Sequence, residues 1–320
     1  MLVDGFGRTI DYLRISVTDE CNLRCLYCRP AAVPVARLFR DILTNEEIAR
    51  VARVAASLGV KRIRLTGGEP LLRHGIVDLV SLLAAIPGIH ELSLTTNGLL
   101  LERMASDLAA AGLKRVNVSL DTLRPERFRR ITGADGLERV LHGISAAHAA
   151  GLQPVKVNVV VMRGVNDDEI ADFAALTVRE GWHVRFIEIM PIGQDTASLL
   201  VTAAELRQRL PGLAADQGVG GAGPARPYRL PGASGTISFI TAVSEHFCAT
   251  CNRLRLTADG KIRPCLLTDG EVDVRQALRN SSGPDELAKL ILQAVANKPE
   301  HHQLACGCVP HERTMTQIGG

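Results

Sequence analysis

The first 190 residues alternate short runs of Val, Ile and Leu with amphipathic helical segments, and this alternation repeats six times. Strands are predicted at 12–17, 62–65, 91–95, 115–120, 154–161 and 183–189, and helices at 45–58, 72–85, 100–111, 125–150 and 167–180. The helical region 125–150 is predicted to be interrupted near Gly133 to Gly136. Apolar strands separated by helices indicate a parallel sheet covered by helices. A closed barrel needs eight units. The pattern therefore predicts an α/β fold built as a partial (six-unit) β/α triosephosphate-isomerase-like barrel, with a doubly wound sheet as the alternative.

Capping signals mark the start of two predicted helices. Thr44 and Glu47 fit a capping box before helix 45–58. Asn166 and Glu169 are predicted to cap helix 167–180.

The alternation stops after Met190, so we predict two parts: a barrel at 1–190 and a C-terminal α+β extension at 191–320. Strands are predicted at 236–241 and 253–256, and a helix at 287–296. Asp259-Gly260 is typical of a two-residue hairpin turn.

Eight cysteines and a weak charge balance limit the class of protein. Six of the cysteines fall in two clusters, which in a reducing compartment favours metal binding or chemistry over disulfides. No secretory leader and no membrane-length apolar run is seen, so a cytoplasmic protein without a membrane partner is expected. Lys plus Arg number 37 and Asp plus Glu 34, a net charge of +3 that does not favour nucleic-acid binding.

The first cysteine set is Cys21, Cys25 and Cys28, in a loop just after the first strand. Functional residues of β/α barrels lie at this end of the strands. Three thiolates suit an iron–sulfur cluster or zinc, and with four irons one iron stays open to bind another molecule. Gly67 and Gly68, in the segment Gly67-Gly68-Glu69-Pro70, follow the second strand and are expected to let the backbone approach a ligand closely.

The second cysteine set is Cys248, Cys251 and Cys265. The predicted hairpin folds Cys265 back toward the other two. Zinc with His246 as fourth ligand and an auxiliary iron–sulfur cluster are both open here. Arg253 and Arg255 lie on one face of the predicted strand, as expected of an anion or phosphate site.

The segment Cys21-Asn22-Leu23-Arg24-Cys25-Leu26-Tyr27-Cys28 resembles the C-x-x-x-C-x-aromatic-C signature of the radical S-adenosylmethionine (radical SAM) superfamily. Over essentially its whole length the chain resembles the GTP 3′,8-cyclase (MoaA) family of that superfamily. This closer resemblance rests on both cysteine sets, Cys251-Asn252-Arg253-Leu254-Arg255, Asn297-Lys298-Pro299 and Ile318-Gly319-Gly320.

The resemblance implies two [4Fe–4S] clusters and S-adenosyl-L-methionine as cofactors. Each cysteine set would hold one cluster. SAM would be contacted by Tyr27, Gly68, Ser119 and Met190. GTP would be contacted by Arg14, Arg64, Thr95, Lys156, Arg253, Leu254 and Arg255. Catalytic roles would fall to Arg14, Arg253, Arg255, Gly319 and Gly320, the two glycines reaching into the active site.

The implied reaction is the first step of molybdenum cofactor biosynthesis. A 5′-deoxyadenosyl radical takes hydrogen from the ribose C3′ of GTP, and the ribose carbon attacks C8 of guanine to give 3′,8-cyclo-7,8-dihydro-GTP. Implied partners are an electron donor, a downstream cyclic pyranopterin monophosphate synthase and, as one assembly, a second copy in a homodimer.

Two other functions stay open at this stage. A peptide-modifying radical SAM enzyme also carries extra clusters in a C-terminal extension. A zinc-dependent binding module would have no catalysis. Three residues depart from the family pattern: Arg29 stands where the family commonly has Met, and Cys306 and Cys308 match no cluster motif and are expected to be bystander thiols.

Overall fold

Six adjacent parallel strands form the centre of the fold. The computed structural model describes residues 1–28, 42–192, 196–217, 223–280 and 283–319, so Arg29 and Gly320 lie outside the described residues. The central strands are β1 (Tyr12–Ser16), β2 (Arg62–Thr66), β3 (Glu91–Thr96), β4 (Arg115–Ser119), β5 (Lys156–Val161) and β6 (His183–Glu188). They pair in chain order and in parallel. The partial β/α barrel is confirmed, and the sheet does not close on itself.

Helices cover the outside of the barrel. They are α1 (Asn45–Ser57), α2 (Ile76–Ala84), α3 (Leu101–Ala110), α4 (Pro125–Thr132), α5 (Leu137–Ala149) and α6 (Ile170–Arg179). The capping box of α1 is confirmed, because Thr44 Oγ1 accepts from Glu47 N at 3.2 Å and Glu47 Oε2 accepts from Thr44 N at 2.8 Å. The segment predicted as one helix at 72–85 begins instead as a 3₁₀ turn, and Gly75 at φ +69° separates that turn from α2.

The predicted caps of α6 are wrong. Asn166 and Glu169 make no side-chain cap, since their polar atoms are used elsewhere. Asn166 Nδ2 donates to the carbonyls of Asp121 and Val160, at 2.7 and 2.9 Å. Glu169 accepts from Thr122 Oγ1 at 2.6 Å. Both side chains therefore fasten the β4–α4 loop, a tertiary role that their position before a helix does not reveal.

The six strands are apolar on their outer face and polar on their inner face. Residues of the outer face are buried against the helices: Leu13, Ile15, Ile63, Leu65, Leu92, Leu94, Val116, Val118, Val157, Val159, Val184 and Phe186. Alternating with them, the inner face carries Arg14, Arg64, Ser93, Asn117, Asn158 and Arg185. A parallel sheet buried on both faces usually reads as a continuous apolar run. A polar interior of this kind indicates a lumen built to hold a polar ligand.

The C-terminal region extends the barrel sheet at both edges. Its strands are β7 (Ala214–Ala215), β8 (Arg226–Arg229), β9 (Thr236–Ile240), β10 (Arg253–Leu256), β11 (Lys261–Arg263) and β12 (Val272–Asp273), and its helices are α7 (Ala203–Gln208), α8 (Arg275–Arg279), α9 (Pro284–Ala296) and α10 (Met315–Ile318). β10 pairs in parallel with β1, and β9 with β6. The sheet is thus continuous across position 190, and the division there stays a prediction.

The hairpin predicted at Asp259-Gly260 joins β10 and β11. Its loop is longer than the two residues predicted, because the pairing of the strands ends at Leu256 and Ile262, beyond which Thr257 N donates to the Lys261 carbonyl at 2.8 Å. Gly260 has φ +81°, which favours glycine at this place.

No helix in the described parts of the chain has both the length and the apolar character needed to cross a membrane.

Glu188, at the end of β6, joins the barrel to the extension. Its carboxylate is 1% exposed and accepts from the backbone N–H groups of Ala203, Val243 and Ser244 at 3.0, 3.0 and 2.9 Å, and from the Ser244 hydroxyl. The backbone groups belong to the start of α7 and to the loop that leads to Cys248. One buried carboxylate therefore fixes both segments to the barrel.

We predict that Glu188→Ala lowers the free energy of unfolding by about 3 kcal/mol or more. Each buried donor left without an acceptor costs about 1–3 kcal/mol, and the change strips three backbone N–H groups. Urea denaturation of the metal-free chain, followed by circular dichroism, measures this. Glu180→Ala is the control, since Glu180 is exposed at the end of α6 and its loss should change stability by less than about 0.5 kcal/mol. Equal effects of the two changes would contradict the role of Glu188.

Candidate active site

A cavity occupies the barrel lumen and extends to the C-terminal region. Both cysteine sets line it, together with most of the residues predicted to contact ligands. The predicted residues found in its lining are Arg14, Cys21, Cys25, Tyr27, Cys28, Arg64, Gly68, Thr95, Ser119, Met190, Cys248, Cys251, Arg253, Arg255 and Cys265. Lys156, Leu254 and Gly319 are not among the lining residues. Two sets of thiols more than two hundred residues apart in sequence thus share one chamber.

The first cysteine loop leaves β1 and is held against the end of α4. Arg24 N donates to the Thr132 carbonyl at 2.8 Å and Leu26 N to the Ile131 carbonyl at 3.0 Å. Desolvation, with smaller contributions from Cys28 and Asp121, raises the pKa of the Cys25 thiol well above its usual value. A bound cation would reverse this effect, because it stabilises the thiolate.

Gly67 and Gly68 let the loop after β2 lie directly against the backbone that enters the cysteine loop. Gly68 N donates to the Thr18 carbonyl at 2.7 Å. A Cβ atom at Gly68 would lie 2.0 Å from the Glu20 carbonyl oxygen, and one at Gly67 would lie 2.4 Å from the Thr18 carbonyl oxygen. In the structure these glycines let the backbone lie close to the protein backbone beside Cys21. Their predicted close approach to a ligand stays a prediction.

Glu69 links the same loop to the end of β3. This buried carboxylate accepts from Thr96 Oγ1 at 2.8 Å and Asn97 N at 2.7 Å. Asn97 Nδ2 in turn donates to Asn22 Oδ1 at 2.7 Å and lies 3.9 Å from Cys21 Sγ. Burial raises the pKa of Glu69 to about 7. Glu69 therefore helps to position the first cysteine set through its hydrogen bond to Asn97.

Tyr27 and Asp121 form a second support. Tyr27 Oη donates to Asp121 Oδ2 at 2.7 Å, and Asp121 Oδ1 accepts from Val160 N at 2.8 Å. Burial raises the pKa of Asp121 to about 6. This carboxylate ties the cysteine loop to β4 and β5.

The second cysteine set lies where the extension meets the lumen. Cys248 begins a 3₁₀ turn, Cys251 follows it, and Cys265 comes two residues after β11. Burial opposes ionisation of Cys251, but Arg253 and Lys298 together outweigh it and lower the pKa of this thiol to about 6. In contrast, burial raises the pKa of Cys248.

The donor sets fit iron–sulfur clusters better than single zinc ions. All eight cysteines are free thiols. In the described part of the chain, no three His, Cys, Asp or Glu side chains come together closely enough to hold one metal ion. A single zinc draws its ligands to about 2.0–2.3 Å from the metal, whereas a cluster takes one thiolate at each of several irons. His246 lines the cavity but packs against His301 and His302, with ring centroids 6.3 and 5.3 Å away.

Arginines line the lumen between the cysteine sets. Arg255, Arg14 and Arg64 are register partners on three adjacent strands, β10, β1 and β2. Burial and the neighbouring Arg253 lower the pKa of Arg255 to about 9, and burial with Arg64 and Arg115 lowers that of Arg185 to about 9. Arg253 stacks over Phe247 at 4.8 Å from the ring centroid. Such a concentration of buried cations favours a ligand with several negative charges.

Two of the predicted ligand residues occupy unexpected positions. Lys156 is 2% exposed, and burial with Arg185, Arg115 and Arg64 lowers its pKa to about 6. Leu254 faces outward into the apolar core opposite Leu13 of β1. Only the backbone of Leu254 is therefore available to a ligand in the lumen.

The C-terminal tail returns to the lumen wall. Arg255 Nη1 donates to the Gly319 carbonyl at 2.8 Å. Gly319 has φ +70°, and a Cβ atom there would lie 2.3 Å from Thr66 Oγ1. Arg313 anchors the tail through two bonds to Asp259, both at 3.0 Å, and one to Glu271 at 2.8 Å. Cys306 and Cys308 are exposed and lie outside the cavity lining.

Comparison with known proteins identifies this arrangement. Residues 15–177 match the family model of the radical SAM superfamily, and residues 182–304 match that of Molybdenum Cofactor Synthesis C. A GTP 3′,8-cyclase of Heliobacterium modesticaldum is 52% identical, with 100% of both chains covered. One of Moorella thermoacetica is 53% identical, with 99% of both covered. The chain belongs to the GTP 3′,8-cyclase family.

The fold of this family member is similar to that of SuiB of Streptococcus suis in two solved structures. SuiB of Streptococcus suis, solved bound to S-adenosylmethionine, has a TM-score of 0.61 at 17% identity, covering 89% of this chain and 68% of SuiB. In a second structure, SuiB is bound to its precursor peptide SuiA, and there the TM-score is 0.63 at 16% identity, with 92% and 66% covered.

Several residues of the site were not found from the sequence. In this member of the GTP 3′,8-cyclase family, the cavity is also lined by Arg185, Asn158 and Asp121. Glu69 supports the first cysteine loop through Asn97. Arg185 and Asn158 are polar residues that alternate with apolar ones on β6 and β5, and this alternation is the signal that could have found them. Asp121 and Glu69 carried no signal of their supporting role, because their partners come from distant segments.

We predict that Gly68→Ala displaces the first cysteine loop. Its Cβ atom would overlap the Glu20 carbonyl oxygen, which is backbone and cannot swing away. Iron bound by the first cysteine set after anaerobic reconstitution should fall at least severalfold, measured in a variant whose second set is replaced by alanine. Gly270→Ala is the matched control, since nothing lies within 4 Å of a Cβ atom at Gly270. Full iron loading of Gly68→Ala would contradict the prediction.

Proposed function

We propose that this chain is a radical SAM GTP 3′,8-cyclase, which converts GTP to 3′,8-cyclo-7,8-dihydro-GTP in the first step of molybdenum cofactor biosynthesis. One observation supports this most directly: two sets of three thiols line a single cavity whose walls carry Arg14, Arg64, Arg185, Arg253 and Arg255. A radical-generating centre and a polyanion site in one chamber are what cyclisation of a nucleoside triphosphate requires.

Each cysteine set would hold one [4Fe–4S] cluster, Cys21, Cys25 and Cys28 the first and Cys248, Cys251 and Cys265 the second. Three thiolates leave one iron of each cluster open to a ligand. When bound, the reduced first cluster supplies the electron that cleaves SAM to a 5′-deoxyadenosyl radical. The chain's part is to hold the sulfurs, exclude water and keep SAM and GTP in contact.

SAM would be bound by residues at the carboxyl ends of the strands. Tyr27, Gly68, Ser119 and Met190 all line this end of the cavity. Asn158, the register partner of Ser119, also lines it, and its Oδ1 atom is buried without a hydrogen-bond partner. A buried acceptor left without a donor is costly. A ligand hydroxyl or amino group would satisfy it.

The triphosphate of GTP would be bound by the arginines. Guanidinium groups pair with phosphate through two parallel hydrogen bonds. Arg14, Arg64, Arg253 and Arg255 line the cavity between the cysteine sets, with Thr95 beside them. Lys156, which does not line the cavity, would attract the phosphates through its positive charge. Leu254 would contact GTP through its backbone. The binding of phosphate would offset the mutual repulsion of these cations.

The tail would complete the active site. Gly319 already contacts Arg255, one of the proposed GTP ligands. Glycine suits this place because its positive φ and the closeness of Thr66 leave no room for a side chain. We propose that Gly319 and Gly320 position Arg255 for the cyclisation.

The remaining partners are also proposals. An external one-electron donor must reduce the first cluster, and a cyclic pyranopterin monophosphate synthase would consume the product. Six thiols that must stay reduced suit a cytoplasmic location. A homodimer is the proposed assembly.

Anaerobic incubation with SAM, GTP and dithionite tests the proposed function. We predict 5′-deoxyadenosine and a cyclised nucleotide in equal amounts, the nucleotide only when GTP is present. Arg255→Met and a chain ending at Ile318 should each lose at least tenfold of the cyclised product, because both break the contact between Arg255 and the tail. Arg129→Met, on the exposed face of α4, should react at the unchanged rate. Formation of 5′-deoxyadenosine without any nucleotide product would refute the proposed substrate.

We further predict that GTP binding takes up a proton at pH 8 through Lys156. With its pKa lowered to about 6, this side chain is neutral at pH 8 in the free protein, and a nearby phosphate raises the pKa again. Uptake of a proton means that GTP affinity falls as the pH rises above about 6. Anaerobic calorimetry in buffers of different ionisation enthalpy measures this uptake, and we expect up to one proton for each GTP bound.

Lys156→Met should abolish this uptake, whereas Lys114→Met, an exposed residue, should retain it. Equal proton uptake in the wild-type chain and Lys156→Met would show that another group is responsible.

A further inference from the structure

The short loop after α9, residues 297–300, contacts the second cysteine set and does not line the cavity. Lys298 on this loop is only 3% exposed. Its ammonium group donates to the Pro264 carbonyl at 2.7 Å and to the Arg253 carbonyl at 2.9 Å, and lies 3.5 Å from Cys251 Sγ. An ammonium group has three donors, so all three are used.

These three acceptors surround two of the cysteines. One is the sulfur of Cys251 itself, one is the carbonyl two residues after it, and one is the carbonyl of the residue directly before Cys265. A single buried cation therefore sets the distance between the Cys251 and Cys265 segments. Its desolvation cost is offset by these bonds and by the thiolate character that it favours at Cys251.

The third cysteine is tied to the same loop by Arg8. Arg8 Nη1 donates to the carbonyls of Cys248 and Glu300, both at 2.8 Å, and Nη2 donates to the Pro299 carbonyl at 2.6 Å. Asp4 holds this guanidinium at 2.6 Å. The Cys251 and Cys265 segments thus contact this loop directly, and Cys248 is joined to it through Arg8.

Lys298 is not placed to bind substrate. It is absent from the cavity lining, and its donors are directed to protein atoms. Its contacts suit the support and tuning of a metal ligand. Hydrogen bonds to ligand sulfurs and nearby positive charge raise the reduction potential of iron–sulfur clusters, since they stabilise the more negative reduced state.

We propose that Lys298 is a positioning residue for the second cluster: its ammonium group bridges the Cys251 and Cys265 segments, donates to the Cys251 sulfur, and raises the potential of the cluster held there. The inference rests on the second cluster of the proposed function. Lys298 is neither a proposed cluster ligand nor a proposed GTP contact, so the inference assigns a role to a further residue.

The test uses the full chain with Cys21, Cys25 and Cys28 replaced by alanine, so that iron reports on the second set alone. Lys298→Met removes charge and donors at similar volume, and Lys298→Gln removes the charge while keeping a donor. After anaerobic reconstitution we expect Lys298→Met to lose iron severalfold and to shift the midpoint potential to more negative values, with Lys298→Gln between it and the wild type. Redox titration followed by electron paramagnetic resonance measures the potential.

Two controls make the effect specific. Lys289→Met, on the exposed face of α9 with a side chain 76% exposed, should leave iron content and potential unchanged. In a chain with Cys248, Cys251 and Cys265 replaced by alanine, Lys298→Met should leave the iron of the first set unchanged, which also shows that the variant folds. If Lys298→Met proves unstable in that chain, iron content and potential are compared between Lys298→Gln and the wild type instead.

The outcomes separate this inference from the proposed function. If the protein with intact Lys298 binds a cluster, and the potential is the same in the Lys298 variants, the inference is overturned while the second cluster stands. If the protein with intact Lys298 takes up no iron at the second set, the second cluster itself is overturned, and the inference with it.

Discussion

Burial of several like charges in one lumen is the constraint on which the rest of this structure depends. Arg255, Arg14 and Arg64 are neighbours across three adjacent strands, where like charges side by side are destabilising. The outer face of the same strands offsets this, because each buried Leu, Ile or Val contributes about 1.5–3 kcal/mol. The barrel can therefore keep a polar interior, and the free energy lost there is recovered when a polyanion binds.

The two cysteine sets lie in different surroundings. In the first set, burial raises the pKa of Cys25, with smaller contributions from Cys28 and Asp121. In the second set, Arg253 and Lys298 outweigh burial and lower the pKa of Cys251 to about 6, while burial raises the pKa of Cys248. These unlike surroundings fit the proposal that the two sets have different tasks.

Much of the fold was predictable from local pattern. The period-two and helical repeats predicted all six barrel strands, and the capping box at Thr44 predicted the start of α1 correctly. Both cysteine sets were identified by spacing. Such signals are contained in a few neighbouring residues, so one sequence is enough to read them.

The features that were missed depend on contacts between distant segments. Nothing near Asn166 or Glu169 shows that their polar atoms bond the β4–α4 loop instead of capping α6. Lys298 belonged to a recognised motif, yet its contact with Cys251 appears only once the chain is folded. Leu254 was expected at the ligand because the family resemblance implied it, but strand alternation turns its side chain into the core.

The pairing of β1 with β10 has a consequence for how the protein is made. β1 lies near the start of the chain, and its neighbour on that side is about 240 residues further along. At about 5–20 residues per second, a ribosome needs on the order of ten to fifty seconds to produce that neighbour. During this interval the barrel has an unpaired edge beside its thiols, and an open edge invites pairing with other chains. The β1 edge of the nascent barrel therefore stays open to pairing with other chains until β10 has been synthesised.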